Sequence, residues 1–193
     1  YRHRGGFRLG PVTLSLGAGV HHLRGTNGSG KTTLMRLLCG DLPPRRGTVR
    51  ICGADPRNHR ARRSVTWMPA ACDLPPFLTT DEAWRAAAAL RGRADWDGTP
   101  LMADLQLPAG LPLERASAGQ RQKAALIAAL AGDPAVLLLD EPFANLDAEA
   151  VAAMTGLLPA DRCILITAHA DLPLHTHSHA TLHPGQPLDW SGN

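Results

Sequence analysis

The chain lacks any apolar run approaching the ~20 residues a helix needs to cross a bilayer. It also lacks an N-terminal secretory pattern. Any membrane association is therefore expected to come through a partner. C-x-x-C spacing is missing too: Cys39, Cys52, Cys72 and Cys163 stand far apart. That spacing suits a reduced, cytoplasmic chain with unpaired thiols rather than a disulfide framework. Internal repeats and low-complexity linkers are absent, which argues against two equal domains. What remains is 193 residues with 44% hydrophobic and 19% charged content, the composition of one well-cored globular domain with room for a small insertion. The net charge of +3 comes from dispersed arginines. It suits a chain that handles phosphates or lies near an anionic membrane, and no nucleic-acid partner is expected. The chain opens at Tyr1 rather than Met, which leaves the presence of sequence upstream open.

Lysine is nearly absent, and the scarcity sharpens one stretch. Of 20 Lys and Arg residues only Lys31 and Lys123 are lysine. Lys31 sits in Gly25 to Thr33, GTNGSGKTT, which fits G-x-x-x-x-G-K-[ST]. A phosphate needs backbone N–H groups that approach without a Cβ in the way, and Gly25, Gly28 and Gly30 permit such a loop. The loop residues Thr26, Asn27, Ser29 and Thr33 complete the cradle. Lys31 is expected to reach the β- and γ-phosphates and Thr32 to ligate Mg²⁺, with a helix N-terminus aimed at a nucleoside triphosphate.

Hydrophobic patterning frames this loop. Val20 to Arg24 reads as a strand and Lys31 to Leu38 as a helix. The alternating residues Val12 to Leu16 suggest antiparallel strands ahead of them. Gly47 to Ile51 and Ser64 to Met68 read as strands, and Thr79 to Glu82 as the start of a helix running to Arg91. A helix is expected over Gln120 to Ala131. Ala135 to Leu139 is a continuous apolar run, the mark of a parallel strand covered on both faces, and Cys163 to Thr167 reads as the next buried strand, with a helix over Ala148 to Leu158 between them. The histidine- and proline-rich tail, Leu174 to Trp190, reads as an edge hairpin. The expected fold is α/β: a P-loop NTPase core, mostly parallel sheet with helices on both faces, plus an N-terminal antiparallel β subdomain and an inserted α-helical subdomain. The core would comprise 1–69 and 117–193, and the helical part 70–116.

Two more segments carry chemistry. Asp140 and Glu141 follow the apolar run Val136 to Leu139, where a buried strand leaves the sheet on the side the phosphate loop occupies. Asp140 is placed to hold Mg²⁺, and Glu141 to accept a proton from a water attacking the γ-phosphate. Ser117 precedes a helix, so its hydroxyl and the N–H groups beyond it can cap that helix or form an anion site. The tail holds His175, His177, His179 and His183, of which the first three alternate, which would place them on one strand face. They are expected to be solvated edge residues rather than metal ligands.

Taken together with their spacing, ASAGQRQKAAL at Ala116 to Leu126, the P-loop and LLLDEP resemble the signature set of the ABC (ATP-binding cassette) ATPases. By that resemblance Tyr1 stacks on adenine, Asn145-Leu146-Asp147 forms a dimer-interface turn, and His169 contacts the γ-phosphate. Ser117, Gly119 and Gln120 would complete ATP bound to a second ATPase subunit, in a homo- or heterodimer. The resemblance implies ATP and Mg²⁺ as cofactors. It also implies transmembrane permease subunits as partners, received near Leu74 to Trp84, and a peripheral place on the cytoplasmic face of the membrane. The expected function is ATP hydrolysis powering an ABC transporter. The alternatives are a soluble non-transport ABC ATPase and a nucleotide-binding regulatory subunit. Small size, SAGQ and DEPF also resemble, more weakly, the ATP-binding subunit of the haem exporter of cytochrome c maturation. The pattern departs from the family at Ala70, where glutamine is usual, and at Ala116 and Ala118.

Overall fold

The computed structural model describes residues 9–71, 74–144, 146–168 and 175–190. Tyr1, Cys72, Asn145 and His169, each named above, lie outside them. Strands β1 (Val12–Leu14) and β2 (Gly19–Arg24) come first, followed by helices α1 (Lys31–Leu38) and α2 (His59–Arg62) and strand β3 (Val65–Met68). Helices α3 (Thr80–Leu90), α4 (Thr99–Asp104) and α5 (Ala118–Leu130) follow. The chain then runs through β4 (Val136–Asp140), α6 (Ala148–Gly156), β5 (Cys163–Thr167), β6 (Ser178–Thr181) and β7 (Leu188–Trp190).

A five-stranded sheet in the order β3-β4-β5-β2-β6 forms the centre, and every pair in it is parallel. Continuous apolar strands are needed because both faces are covered. Leu137, Leu139, Ile164 and Ile166 pack on one face with Trp84, Leu126 and Ile127 of α3 and α5. Leu138 and Leu165, alternating with them, pack on the other face with Leu34, Met35 and Leu38 of α1. The period of two along each strand thus assigns α1 and α5 to opposite faces.

Helix starts follow side-chain chemistry. The Thr79 hydroxyl accepts from Glu82 N–H while the Glu82 side chain accepts from Thr79 N–H, a reciprocal cap that opens α3. Asp147 caps α6 by accepting from Ala150 N–H at 2.7 Å. Helix α5 begins at Ala118, two residues before the expected Gln120.

Three expectations about strands need correction. The antiparallel strands expected before the P-loop appear, among the described residues, as the single short β1. It pairs in parallel with β7 in a separate two-stranded sheet. Alternation encodes which side chains face the core and leaves the partner's direction open. Among the described residues Gly47 to Ile51 pairs with no strand. Ile51 bridges Ala54 across a turn with Cys52 and Gly53 at φ of 49° and 80°. The chain bends back on itself at that turn. The tail is not a hairpin either: β6 extends the main sheet beside β2, and β7 joins β1. Trp190 Nε1 reaches Ser178 Oγ at 3.0 Å, so β6 and β7 touch through side chains rather than a ladder.

Candidate nucleotide site

The site forms where β2 and β4 leave the sheet at their carboxyl ends. At the end of β2 the backbone turns at Gly25, where φ is 155° and a Cβ would lie 2.5 Å from Ser29 Oγ and 2.7 Å from the Leu182 carbonyl. Only glycine fits. Ser29 is buried, and its Oγ finds no hydrogen-bond partner among the described residues. Gly30, at φ 108°, caps α1 with no side chain of its own, which leaves the first N–H groups of the helix facing the loop.

Lys31 follows directly and is buried. Its Nζ donates to the Gly25 carbonyl at 2.7 Å and the Thr26 carbonyl at 3.4 Å, and lies 3.9 Å from Glu141 Oε1. Thr32 Oγ1 donates to Asp140 Oδ2 at 2.6 Å. The face assignment explains that contact. Asp140 alternates in phase with Val136 and Leu138, the side of the sheet that α1 covers. Asp140 is itself 2% exposed, and its second oxygen accepts from the Thr167 hydroxyl, its register partner on β5. Glu141 then leaves the strand with φ at 51°, unusual for a non-glycine residue. Its N–H is held by both the carbonyl and the hydroxyl of Thr167 at 3.1 Å.

These groups line one cleft of about 430 Å³, bounded by loop residues 26–28 and 30–33 together with Asp140, Glu141 and Ala70. Gly25 and Ser29 shape the loop from behind. Ala70 follows the end of β3 and presents only a methyl to the cleft. The expected partner-facing residues stand elsewhere. Ser117 is exposed and caps α5 by accepting from Gln120 N–H at 3.1 Å, while Gln120 Oε1 accepts from Ser117 N–H at 2.8 Å. The Gln120 side chain therefore serves as half of the cap. Ala118 is exposed and Ala116 is buried. Gly119 lies against Leu146, whose Cδ2 would be 3.4 Å from an added Cβ. Two residues escape a sequence reading. Thr167 is one polar residue ending an apolar strand beside another that ends in Asp140. Gln122 is a lone buried amide on an alanine- and leucine-rich helix face, donating to the Pro142 carbonyl at 2.6 Å.

The cysteines are free at Cys39, Cys52 and Cys163, and burial pushes the Cys163 thiol up to about 11.

A parallel sheet whose carboxyl edge carries a glycine loop, a buried lysine and a threonine hydrogen-bonded to an aspartate defines a P-loop nucleoside triphosphatase. Residues 9–144 match the family model for the ABC transporter. The chain is 37% identical over 153 residues to the cytochrome c biogenesis ATP-binding export protein CcmA of Methylococcus capsulatus, with 76% of this chain and 73% of that protein covered. It is 34% identical over 161 residues to the Nod factor export ATP-binding protein I of Ralstonia nicotianae, covering 76% of this chain but only 50% of that relative. A solved ATP-binding subunit of an ABC transporter superposes with a TM-score of 0.81 at 27% identity, over 89% of this chain and 78% of the other. The chain belongs to the ABC transporter family, as an ATP-binding and ATP-hydrolysing subunit.

Proposed function

We propose that the cleft between the P-loop and Asp140-Glu141 hydrolyses ATP to drive an exporter through separate permease subunits. The observation that carries this reading is the convergence of Lys31, Thr32, Asp140 and Glu141 on one cleft. Lys31 neutralises charge on the β- and γ-phosphates, and the N–H groups of the loop and of α1 hold their oxygens. Glu141 accepts the proton of the attacking water. Thr32 Oγ1 and Asp140 Oδ2, hard oxygens 2.6 Å apart, suit Mg²⁺, which prefers such donors. When bound there, the cation would offset phosphate charge as hydrolysis proceeds. Tyr1 and His169 keep the adenine and γ-phosphate roles that the family pattern implies.

Ser117, Gly119 and the N-terminus of α5 lie off this cleft, which supports their serving the nucleotide of a second cassette in a homo- or heterodimer. Residues 70–116 act as the helical subdomain that meets the permease. Phe77, 80% exposed between the partly buried Leu74 and Leu78, supports a docking surface there. No helix among the described residues is long and apolar enough to cross a membrane; the family pattern assigns the membrane-spanning pathway to the partners and this chain to the cytoplasmic face. The names of both relatives speak of export, which supports an exporter.

The test combines two variants of the full chain purified from membranes. Glu141→Gln keeps ATP affinity and lowers turnover by about 10²-fold or more. Lys31→Ala lowers ATP affinity by at least about tenfold, the equivalent of one lost charged contact. Parental turnover in Glu141→Gln overturns the assignment of the base. Recovery without any integral membrane protein overturns the transport reading.

A further inference from the structure

The turn that carries Glu141 is strained and held from two sides. Glu141 lies at φ 51°, a conformation that is unfavourable for a non-glycine residue and persists only where surrounding contacts enforce it. From β5, Thr167 holds the Glu141 N–H through its carbonyl and its hydroxyl, both at 3.1 Å. From the opposite face of the sheet, Gln122 on α5 turns its side-chain amide to the other end of the same peptide segment. Its Nε2 donates to the Pro142 carbonyl at 2.6 Å and to the Glu141 carbonyl at 3.4 Å. Gln122 is 6% exposed, and the helix around it is fixed by Ala124, Leu126 and Ile127, all at 0% exposure.

We propose that Gln122 is a positioning residue for ATP hydrolysis: it clamps the Glu141–Pro142 turn and so aims the Glu141 carboxylate, without touching the nucleotide. The proposal rests on Glu141 being the base, as assigned above. The chemistry required at position 122 is narrow. Two carbonyl oxygens in a buried place call for a neutral N–H donor. A carboxylate there would face them with like partial charge, a lysine would bring an unpaired charge into the core, and asparagine is one methylene short. Lys31, Thr32 and Asp140 hold the phosphates and the cation through contacts that do not involve Gln122. Loss of the clamp therefore separates chemistry from binding.

The experiment is a double-mutant cycle between Gln122→Met and Glu141→Gln, measured on the full chain purified from membranes, with kcat, KM, ATP affinity and thermal midpoint read for each variant. Met keeps the length and volume of Gln and removes the donor. Gln122→Met is expected to lower kcat by about 10- to 10²-fold, the scale of a misplaced catalytic group, with ATP affinity unchanged within about twofold. In the Glu141→Gln background the same substitution is expected to change nothing further, because both act through one carboxylate. Gln122→Glu supplies an independent check. It is closest to Gln in volume, so if position 122 only fills space it is the milder variant, whereas the clamp makes it the more damaging to kcat.

A parental kcat for Gln122→Met beside an inactive Glu141→Gln overturns the clamp and leaves the base assignment standing. Parental turnover in Glu141→Gln overturns both. Equal losses from Gln122→Met in the two backgrounds, a matching loss of ATP affinity, or Gln122→Glu milder than Gln122→Met each shows a packing role and overturns the proposal.

Discussion

Replacing Thr167 by Val isolates one hydroxyl at the centre of the site. Thr167 is 0% exposed, and its Oγ1 donates to Asp140 Oδ1 while accepting from Glu141 N–H. Val keeps the shape, so no cavity opens. The Glu141 N–H retains the Thr167 backbone carbonyl at 3.1 Å, which makes the acceptor half of the loss small. The donor half removes a hydrogen bond to a buried carboxylate, about 1.5–3 kcal/mol for a charged partner. The other carboxylate oxygen keeps Thr32 at 2.6 Å, so the middle of that range applies. For a chain of 193 residues, a loss of about 2 kcal/mol corresponds to a fall of about 4–8 °C in Tm. Thr167→Ser restores the hydroxyl and deletes one buried methyl, at about 1 kcal/mol. Thermal unfolding followed by circular dichroism without nucleotide should order the proteins parent, Ser, Val from most to least stable. A Val variant melting within about 1 °C of the parent, or a Ser variant less stable than Val, would refute the view that this hydroxyl anchors Asp140.

Gly25→Ala places a Cβ 2.5 Å from Ser29 Oγ and 2.7 Å from the Leu182 carbonyl. It is expected to destabilise the fold by about 1–3 kcal/mol and to weaken ATP binding, as read by denaturant unfolding and nucleotide titration. Parental values in both would show that the loop relaxes freely. Burial raises the Cys163 thiol to about 11, so at pH 8 only about one part in a thousand is thiolate. Site-resolved maleimide labelling should therefore modify the exposed Cys52 long before Cys163, with the gap closing as pH rises or the chain unfolds. Equal rates at pH 8 would contradict the burial.

The elements most legible in the sequence are those whose pattern has one physical solution. Val136 to Leu139 and Cys163 to Ile166 are apolar without interruption and become interior parallel strands. Thr79 with Glu82 announces the start of α3. Pairing was not legible, because alternation names a face and not a neighbour. That is why β1 was expected among antiparallel strands, and why β6 and β7 were expected to pair with each other. Within the site, Lys31, Thr32, Asp140 and Glu141 belong to contiguous motifs and can be found by reading along the chain. Thr167 and Gln122 cannot be found that way. Each acquires its meaning only when β5 lies in register beside β4, or when α5 packs over the turn after it.

That register has a consequence for which sequence changes the site can survive. Asp140 meets Thr32 and Thr167 because it stands an even number of positions from Leu138 and Val136 on β4. Adding or removing one residue within β4 reverses parity and turns the carboxylate toward α5, away from α1. A change of two residues restores the face but slides Asp140 past Thr167. Lengthening the chain between Pro142 and α6, by contrast, leaves the count on the strand untouched. The chemistry is therefore addressed by integer steps along a greasy strand, so that deletions inside β4 silence it.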